Sequence, residues 1–166
     1  MSKPYQTLIL SVTTLFFLVT LCAAKENHFS VQGQVFCDVC RAGFFTKPCT
    51  YIKGATVRLE CRNREQDTVL TFKGEATTDD SGTYHISVDG PDFEDDICEV
   101  KLVKSPDSDC NEINVKNSND KARVSLAANS GMTSDVRMAN PIGFLKKSAN
   151  SECSKLLEAM GVVPDT

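Results

Sequence analysis

The run VQGQVFCDVC, residues 31–40, decides the fold of this chain. Side chains alternate between apolar and polar through residues 31–37, a period of two that is typical of a β-strand with one buried face. Cys37 and Cys40 close the run. In an extended strand, side chains three residues apart point to opposite faces of the sheet. We therefore expect these two cysteines to bond separate partners and not each other.

Residues 1–24 have the parts of a secretory signal: a basic start, an apolar core at residues 8–21 and small residues before the cleavage point. As a helix this core would reach about 21 Å, short of the roughly 30 Å of a bilayer's hydrocarbon layer. An uncleaved anchor is therefore the less favoured alternative. We expect cleavage near Ala24 and a mature protein that starts about Lys25. The chain is then a signal followed by one domain, residues 25–166, secreted to the extracellular space.

Export changes the meaning of the C-x-x-C spacing at Cys37 and Cys40. In a cytosolic chain this spacing suggests a zinc site or a redox couple, whereas cysteines in an oxidising compartment pair and persist as disulfides. Zinc would need two further ligands, and the only histidines are His28 and His85. A redox motif would need to start a helix and not to end a strand. We predict neither a metal nor a cofactor.

The composition fits one globular domain with a hydrophobic core. Of 166 residues, 41% are hydrophobic and none is Trp, and the formal net charge is −4. Loss of Lys3 with the signal would leave 17 basic against 22 acidic residues, a charge of −5. A weakly acidic domain has no electrostatic reason to hold nucleic acid or an anionic membrane. We expect neither partner, and no membrane insertion.

Period-two alternation predicts an all-β fold, a disulfide-stapled sandwich or barrel of six to seven strands. In residues 55–62, alternate residues from Ala55 to Cys61 are apolar and their neighbours are polar. Turn residues at 79–82, with Tyr84 then entering the core, separate two of the strands. The predicted strands are residues 31–37, 55–62, 69–76, 83–88 and 97–103, with weaker candidates at 123–127 and 134–138. Residues 41–53 and 114–120 are predicted loops.

One short α-helix is predicted near the carboxyl end. Cys153, Leu156, Leu157 and Met160 recur at the spacing of an apolar helical stripe. Asn150 or Ser151 can cap the start of this helix, and Gly161 followed by Pro164 ends it.

Residue types that would form a catalytic site do not come together in the sequence. His85 lies on the polar side of a predicted strand, where a solvated histidine is the favoured interpretation. Neither a G-x-S-x-G nor an H-E-x-x-H motif is present. Asp92, Glu94, Asp95 and Asp96 could be a calcium site or a glycosidase pair, but charge runs between strands are usually solvated loops. We predict that the protein is not an enzyme.

The cysteines should form a covalent framework. Seven of the eight remain after cleavage, so at least one is unpaired or bonds another chain. Cys61 and Cys98 lie on the apolar rows of their strands, where a bridge could join sheet to sheet. Six cysteines allow fifteen pairings, so spacing alone does not choose among them.

Five separated segments resemble the Ole e 1-like pollen proteins, the family of the major olive-pollen allergen. They are QGQVFCDVCRAGF at 32–44, GATVRLEC at 54–61, ICEV at 97–100, DCNEI at 109–113 and NPIGFLKK at 140–147. The resemblance implies the disulfides Cys37–Cys110, Cys40–Cys153 and Cys61–Cys98. Cys49 has no counterpart in the family pattern, which leaves it as a free thiol or as the source of a covalent dimer.

The resemblance also implies a function. Members of the family are plant extracellular proteins of pollen or anther, several of them allergens, implicated in pollen hydration, germination and tube growth. We expect a non-enzymatic protein that recognises a receptor ectodomain or a wall component through loops at residues 41–53 and 89–96. The alternatives are a structural protein that binds wall polysaccharide and, less favoured, a protease inhibitor.

Overall fold

A computed structural model describes residues 27–66, 68–90, 93–115 and 119–162. The predicted signal at residues 1–24 and its cleavage point lie outside the described residues, as do Asp92 and Pro164. Within the described ranges, no helix combines the length and the apolar character needed to cross a membrane.

The fold is two β-sheets, which share one hydrophobic cluster, with a short helix at the carboxyl end. The elements are β1 Asn27–Asp38, β2 Thr50–Tyr51, β3 Thr56–Asn63, β4 Leu70–Thr77, β5 Thr83–Gly90, β6 Asp96–Lys104, β7 Cys110–Glu112, β8 Lys121–Val124, β9 Val136–Met138, β10 Ile142–Lys146 and α1 Cys153–Ala159.

The first sheet is organised around β1, the longest strand among the described residues. Its amino-terminal part pairs with β5 and β9, and its carboxyl-terminal part pairs with β2 and β10. In the β1–β5 pair Gly33 lies opposite Tyr84, whose fully buried ring packs where a Cβ of residue 33 would be. The prediction that Tyr84 enters the core is confirmed.

The second sheet has the strand order β4-β3-β6-β8. Alternation sets its two faces: Val57, Leu59 and Cys61 are fully buried, whereas Arg58 and Glu60 between them lie on the outer face. Cys61 and Cys98 are direct partners in the β3–β6 register, and their Cα atoms are 4.0 Å apart in the disulfide. The expectation that this bridge would join the two sheets is therefore wrong. It links two neighbouring strands of one sheet.

The all-β class and the terminal helix are confirmed, but the described residues contain ten strands and not six or seven. β2 and β7 have two and three residues, too few to show a period. β10 shows no period of two because four of its five residues are buried, on both faces of the strand. A strand with both faces buried reads as a continuous apolar run.

The helix differs from the prediction in its N-cap and in the length of its buried stripe, and it ends where predicted. The residue at the N-cap position is Glu152, without a side-chain cap, so the predicted cap by Asn150 or Ser151 is wrong. The Asn150 side chain instead accepts a hydrogen bond from Lys146 Nζ at 3.0 Å. The predicted stop at Gly161 is confirmed, because its φ of +74° allows the amides of residues 161 and 162 to bond back into the last turn. Met160 is 51% exposed, so the buried stripe is shorter than predicted.

We expect Gly143→Ala to destabilise the fold. Gly143 faces Phe36 across the β1–β10 pair, and a Cβ there would lie 2.6 Å from the ring carbons of Phe36, which is 1% exposed. Overpacking of this kind costs about 1–3 kcal/mol. Denaturant unfolding should show the loss. Gly131→Asn is the matched control, because nothing lies within 4 Å of that position and Asn tolerates its positive φ. Equal stability of Gly143→Ala and wild type would contradict the packing described.

Candidate recognition surface

Two disulfides meet at the carboxyl end of β1. Cys37 is bonded to Cys110 and Cys40 to Cys153, across sequence separations of 73 and 113 residues. Closing loops of this length removes about 4 kcal/mol of chain entropy per bridge from the unfolded state in the usual model. Cys40 lies in the turn after β1, which ends at Asp38. The argument from opposite faces of an extended strand therefore does not apply to it, and the turn itself directs it toward α1.

The turn after β1 is built on a buried carboxylate. Asp38 has no exposed surface, and its carboxylate accepts hydrogen bonds from the amides of Cys40 at 3.2 Å and Gly43 at 2.7 Å. Between these amides the backbone turns sharply, with positive φ values at Arg41 and Gly43. The sequence analysis did not identify Asp38 as a structural residue, because its position in a strand-like run gives no sign of the turn.

Arg41 fixes the start of the loop at residues 41–53. Its guanidinium donates to both carboxylate oxygens of Glu112, at 2.8 and 2.9 Å, and to the carbonyl of Lys146 at 2.6 Å. A bidentate arginine–carboxylate pair is among the stronger ion pairs in proteins. The hydrogen bonds from Arg41 hold the pKa of Glu112 below its ordinary value. The loop is thereby tied to β7 and β10.

The loop continues through a tight turn that encloses Cys49. The Cys49 amide donates to the Thr46 carbonyl at 2.9 Å, and the Cys49 sulfur lies 3.2 Å from Thr46 Oγ1. Thr46 and Cys49 are 2% and 8% exposed. β2 then follows within residues 41–53, so the segment predicted as a loop contains a two-residue strand that pairs with Phe36 and Cys37 of β1.

Three aromatic side chains of this segment are exposed. Phe44, Phe45 and Tyr51 are 36%, 41% and 44% exposed. The ring of Phe45 stacks on Tyr51 with centroids 5.1 Å apart, and it meets the buried Phe36 edge-on at 5.3 Å. We call Phe44, Phe45 and Tyr51 the aromatic patch. The adjacent pair FF at 44–45, inside a predicted loop, was the sequence signal for this patch, and the sequence analysis did not use it.

A cleft of about 330 Å³ adjoins the aromatic patch. Phe44 and Phe45 form one side of this cleft, and Asn119 and Lys121 contribute to its lining. The Asn119 side chain is buried in the wall of this cleft, and neither its amide nitrogen nor its oxygen has a hydrogen-bond partner among the described residues. Leaving such groups unpaired costs about 1–3 kcal/mol each.

The second predicted recognition loop, at residues 89–96, lies at the other end of the first sheet. Asp89 is opposite His28 near the start of β1, whereas residue 41 follows the end of that strand. Ten residues of strand separate the two sites by about 33 Å. The two predicted loops therefore do not form one surface.

The acidic residues of this second loop have structural partners. Asp96 accepts a hydrogen bond from Thr71 Oγ1, and Glu94 accepts one from the Asn129 amide. Among the described residues no group of three or more His, Cys, Asp or Glu side chains could hold a metal ion. His85 is exposed on β5, on the polar face where the sequence analysis placed it.

We expect the Cys49 thiol to react slowly in the native protein. Its burial against Thr46 keeps alkylating reagents and other thiols away. Iodoacetamide without reductant should modify Cys49 rapidly only after denaturation, and the native protein should run as a monomer on a non-reducing gel. A dimer band that is absent from Cys49→Ser would overturn this expectation.

We expect the Arg41–Glu112 pair to make a contribution to stability that is lost in acid. Because the pKa of Glu112 is lowered in the folded state, this contribution is complete above the ordinary glutamate pKa and disappears as pH falls through the lowered value. Glu112→Gln should therefore destabilise the protein at neutral pH, and the difference from wild type should shrink toward pH 3. An NMR titration should give Glu112 a higher pKa in Arg41→Gln. A pKa that does not move would show that Arg41 is not its cause.

Comparisons with known proteins agree with this architecture. The family model described as "Pollen protein Ole e 1 like" matches residues 27–161. An Olee1-like protein of Betula pendula is 48% identical over 96% of both chains, and the pollen allergen Che a 1 of Chenopodium album is 47% identical over 92% of this chain and 90% of its own. The anther-specific protein LAT52 of Solanum lycopersicum is 39% identical over 94% of both.

A solved structure shows the same fold. The crystal structure of the major plantain pollen allergen Pla l 1 superposes with a TM-score of 0.67 at 31% identity, covering 76% of this chain and 99% of that one. The family match spans nearly all of the described residues. This chain belongs to the Ole e 1-like family of pollen proteins.

Proposed function

We propose that this protein is a secreted, non-enzymatic recognition protein of pollen that acts in hydration, germination or tube growth by binding the extracellular domain of a membrane protein. The family assignment supports a role in pollen. So do the names of the relatives, which are pollen allergens and an anther-specific protein. A disulfide-rich pollen family suggests an extracellular protein, since disulfides persist in oxidising compartments. No catalytic family is indicated among these relatives.

The observation that carries the proposal is an exposed aromatic patch on a loop that the fold holds rigid. Phe45 and Tyr51 stack in the open, at the end of the molecule where two disulfides, the buried carboxylate of Asp38 and the Arg41 ion pair converge. Loops usually lose entropy when they bind a partner, and a loop that is already fixed loses less. Exposed tyrosine and phenylalanine are the side chains most suited to anchor a protein interface.

The patch favours a protein partner over a small substrate. The adjoining cleft is lined by Phe44 and Phe45 together with Lys121 and Asn140, so it offers both apolar and polar side chains to a peptide. Along the sequence, Arg41, Lys47 and Lys53 lie in the same segment as the patch. Aromatic residues and arginine are enriched in protein interfaces.

The test is a competition assay on membranes of reproductive tissue. Labelled wild-type protein should be retained by solubilised membranes and displaced by unlabelled wild type. Tyr51→Ala with Phe44→Ala should compete at least about thirtyfold more weakly, the effect of losing roughly 2 kcal/mol at an interface hot spot. Added wild-type protein should also affect pollen-tube elongation more strongly than the aromatic variant does.

The matched control is Met138→Ala, which removes a side chain 67% exposed on β9, away from the patch. It should compete as wild type does. Circular dichroism and unfolding midpoints should confirm that the aromatic variant is folded. If the aromatic variant displaces the labelled protein as well as unlabelled wild type does, the proposal is wrong.

A further inference from the structure

Arg137 is a buried cation whose charge is not balanced by a neighbouring side chain. The residue is 2% exposed, and none of the ion pairs among the described residues includes it. Arginine keeps its proton in proteins, so the charge is not lost by deprotonation. Burying an unpaired charge costs much more free energy than burying a paired one. We therefore expect an anion from outside the described residues to contact Arg137.

One edge of the Arg137 guanidinium is free. Nη1 donates a hydrogen bond to the carbonyl of Ser134, whereas Nε is buried without a hydrogen-bond partner and no bond of Nη2 is found within the described ranges. Cζ lies 4.7 Å from the centroid of the Phe29 ring, a cation–π contact that leaves Nε without an acceptor. Nε and Nη2 share one edge of the group, and two parallel N–H groups match the two oxygens of a carboxylate.

Arg137 lines a cleft of about 330 Å³ at the amino-terminal end of β1. Ala128 and Met132 give this cleft an apolar part. His28 also lines it, but His28 forms an ion pair with Asp89 and so adds no unbalanced charge. Sites for small molecules are typically clefts of roughly 300–1,000 Å³ in which a few placed polar groups accompany apolar walls. The cleft has both the size and the lining of such a site.

Asp135 limits which anion the cleft favours. Its side chain is exposed, lines the same cleft and forms no ion pair with Arg137. Apart from the His28–Asp89 pair, the cleft therefore has one cation and one carboxylate. A dianion, such as a phosphate monoester, would be repelled by Asp135 more strongly than a ligand with a single negative charge. The charge balance favours a monoanion.

We propose that this cleft binds a small monocarboxylate with an apolar body. The carboxylate accepts hydrogen bonds from the Nε–Nη2 edge of Arg137, and the apolar body packs against Ala128 and Met132. This function goes beyond the protein recognition proposed above and does not rest on it, because the aromatic patch adjoins the opposite end of β1.

The test is an NMR titration of ¹⁵N-labelled protein with sodium benzoate at constant ionic strength, since benzoate joins one carboxylate to one apolar ring. The Nε–H signal of Arg137 should shift saturably, and the unfolding temperature should rise with benzoate concentration. Benzamide, which has a similar shape without the charge, should have neither effect. Phenyl phosphate, a dianion at pH 7.5, should bind at least about fivefold more weakly than benzoate because Asp135 repels it.

Two variants separate a binding role of Arg137 from a structural one. Arg137→Lys keeps the positive charge but not the two-nitrogen edge, so benzoate binding should weaken at least about tenfold through loss of charge-assisted hydrogen bonds. Asp135→Asn removes a negative charge from an exposed side chain that makes no hydrogen bond among the described residues. It should strengthen benzoate binding at least about twofold.

The matched control is Arg123→Lys, the same substitution at a side chain 75% exposed on β8, which should bind benzoate as wild type does. The proposal is wrong if benzoate gives no saturable shift, or if benzamide or phenyl phosphate binds as tightly as benzoate. It is also wrong if Arg137→Lys binds benzoate as wild type does, if Arg123→Lys loses as much affinity, or if Asp135→Asn weakens binding.

Discussion

Backbone hydrogen bonds from a single strand, β1, hold the first sheet together. Its twelve residues pair with β5 and β9 along one part and with β2 and β10 along the other, so β1 fixes the register of four strands at once. A slip of one residue would turn every side chain of β1 to the opposite face. It would also remove the space that Gly33 gives to Tyr84 and move Cys37 away from Cys110. The candidate recognition surface therefore depends on this strand, because the turn at Asp38 and the edge-on contact of Phe45 with Phe36 both lie at its carboxyl end.

Strands with alternating apolar and polar residues could be predicted from the sequence. Strands that are buried on both faces, or that have only two or three residues, could not. The long strands were predicted because one face of each is buried and the other is solvated. Under this condition apolar and polar residues alternate along the sequence. β10 violates this condition, because residues on both of its faces are buried. The prediction that the Cys61–Cys98 bridge joins the two sheets was wrong because the sequence does not show strand register. Two cysteines on apolar rows can be partners across one sheet as readily as between two sheets, and only the register distinguishes the cases.

The candidate surfaces were harder to predict than the fold, because each depends on residues that are distant in the sequence. The segment at residues 41–53 was predicted to carry recognition, but two residues that adjoin it come from elsewhere in the chain: Glu112 belongs to β7 and Asn119 precedes β8. Overall charge says little about how charge is distributed over the surface. The net charge of −4 averages over the outer face of the second sheet, where six cationic residues surround three glutamates, and a remainder that is more acidic. Local electrostatics requires the register of β3, β6 and β8, which no count of residues supplies.

Two different constraints account for the cationic residues on the outer face of the second sheet. β4 and β8 are the outer strands of this sheet, and lysines on exposed edges prevent edge-to-edge aggregation, which is reason enough for Lys73 and Lys121. Arg58 and Lys101 lie on the two central strands, where no edge needs protection and where they are directly opposed. The sheet supplies their counter-charge itself, because Glu75 lies opposite Arg58 and the Glu60 carboxylate contacts both cations. The central cations are therefore explained by ion pairs within the sheet, and the edge cations by protection of the edges.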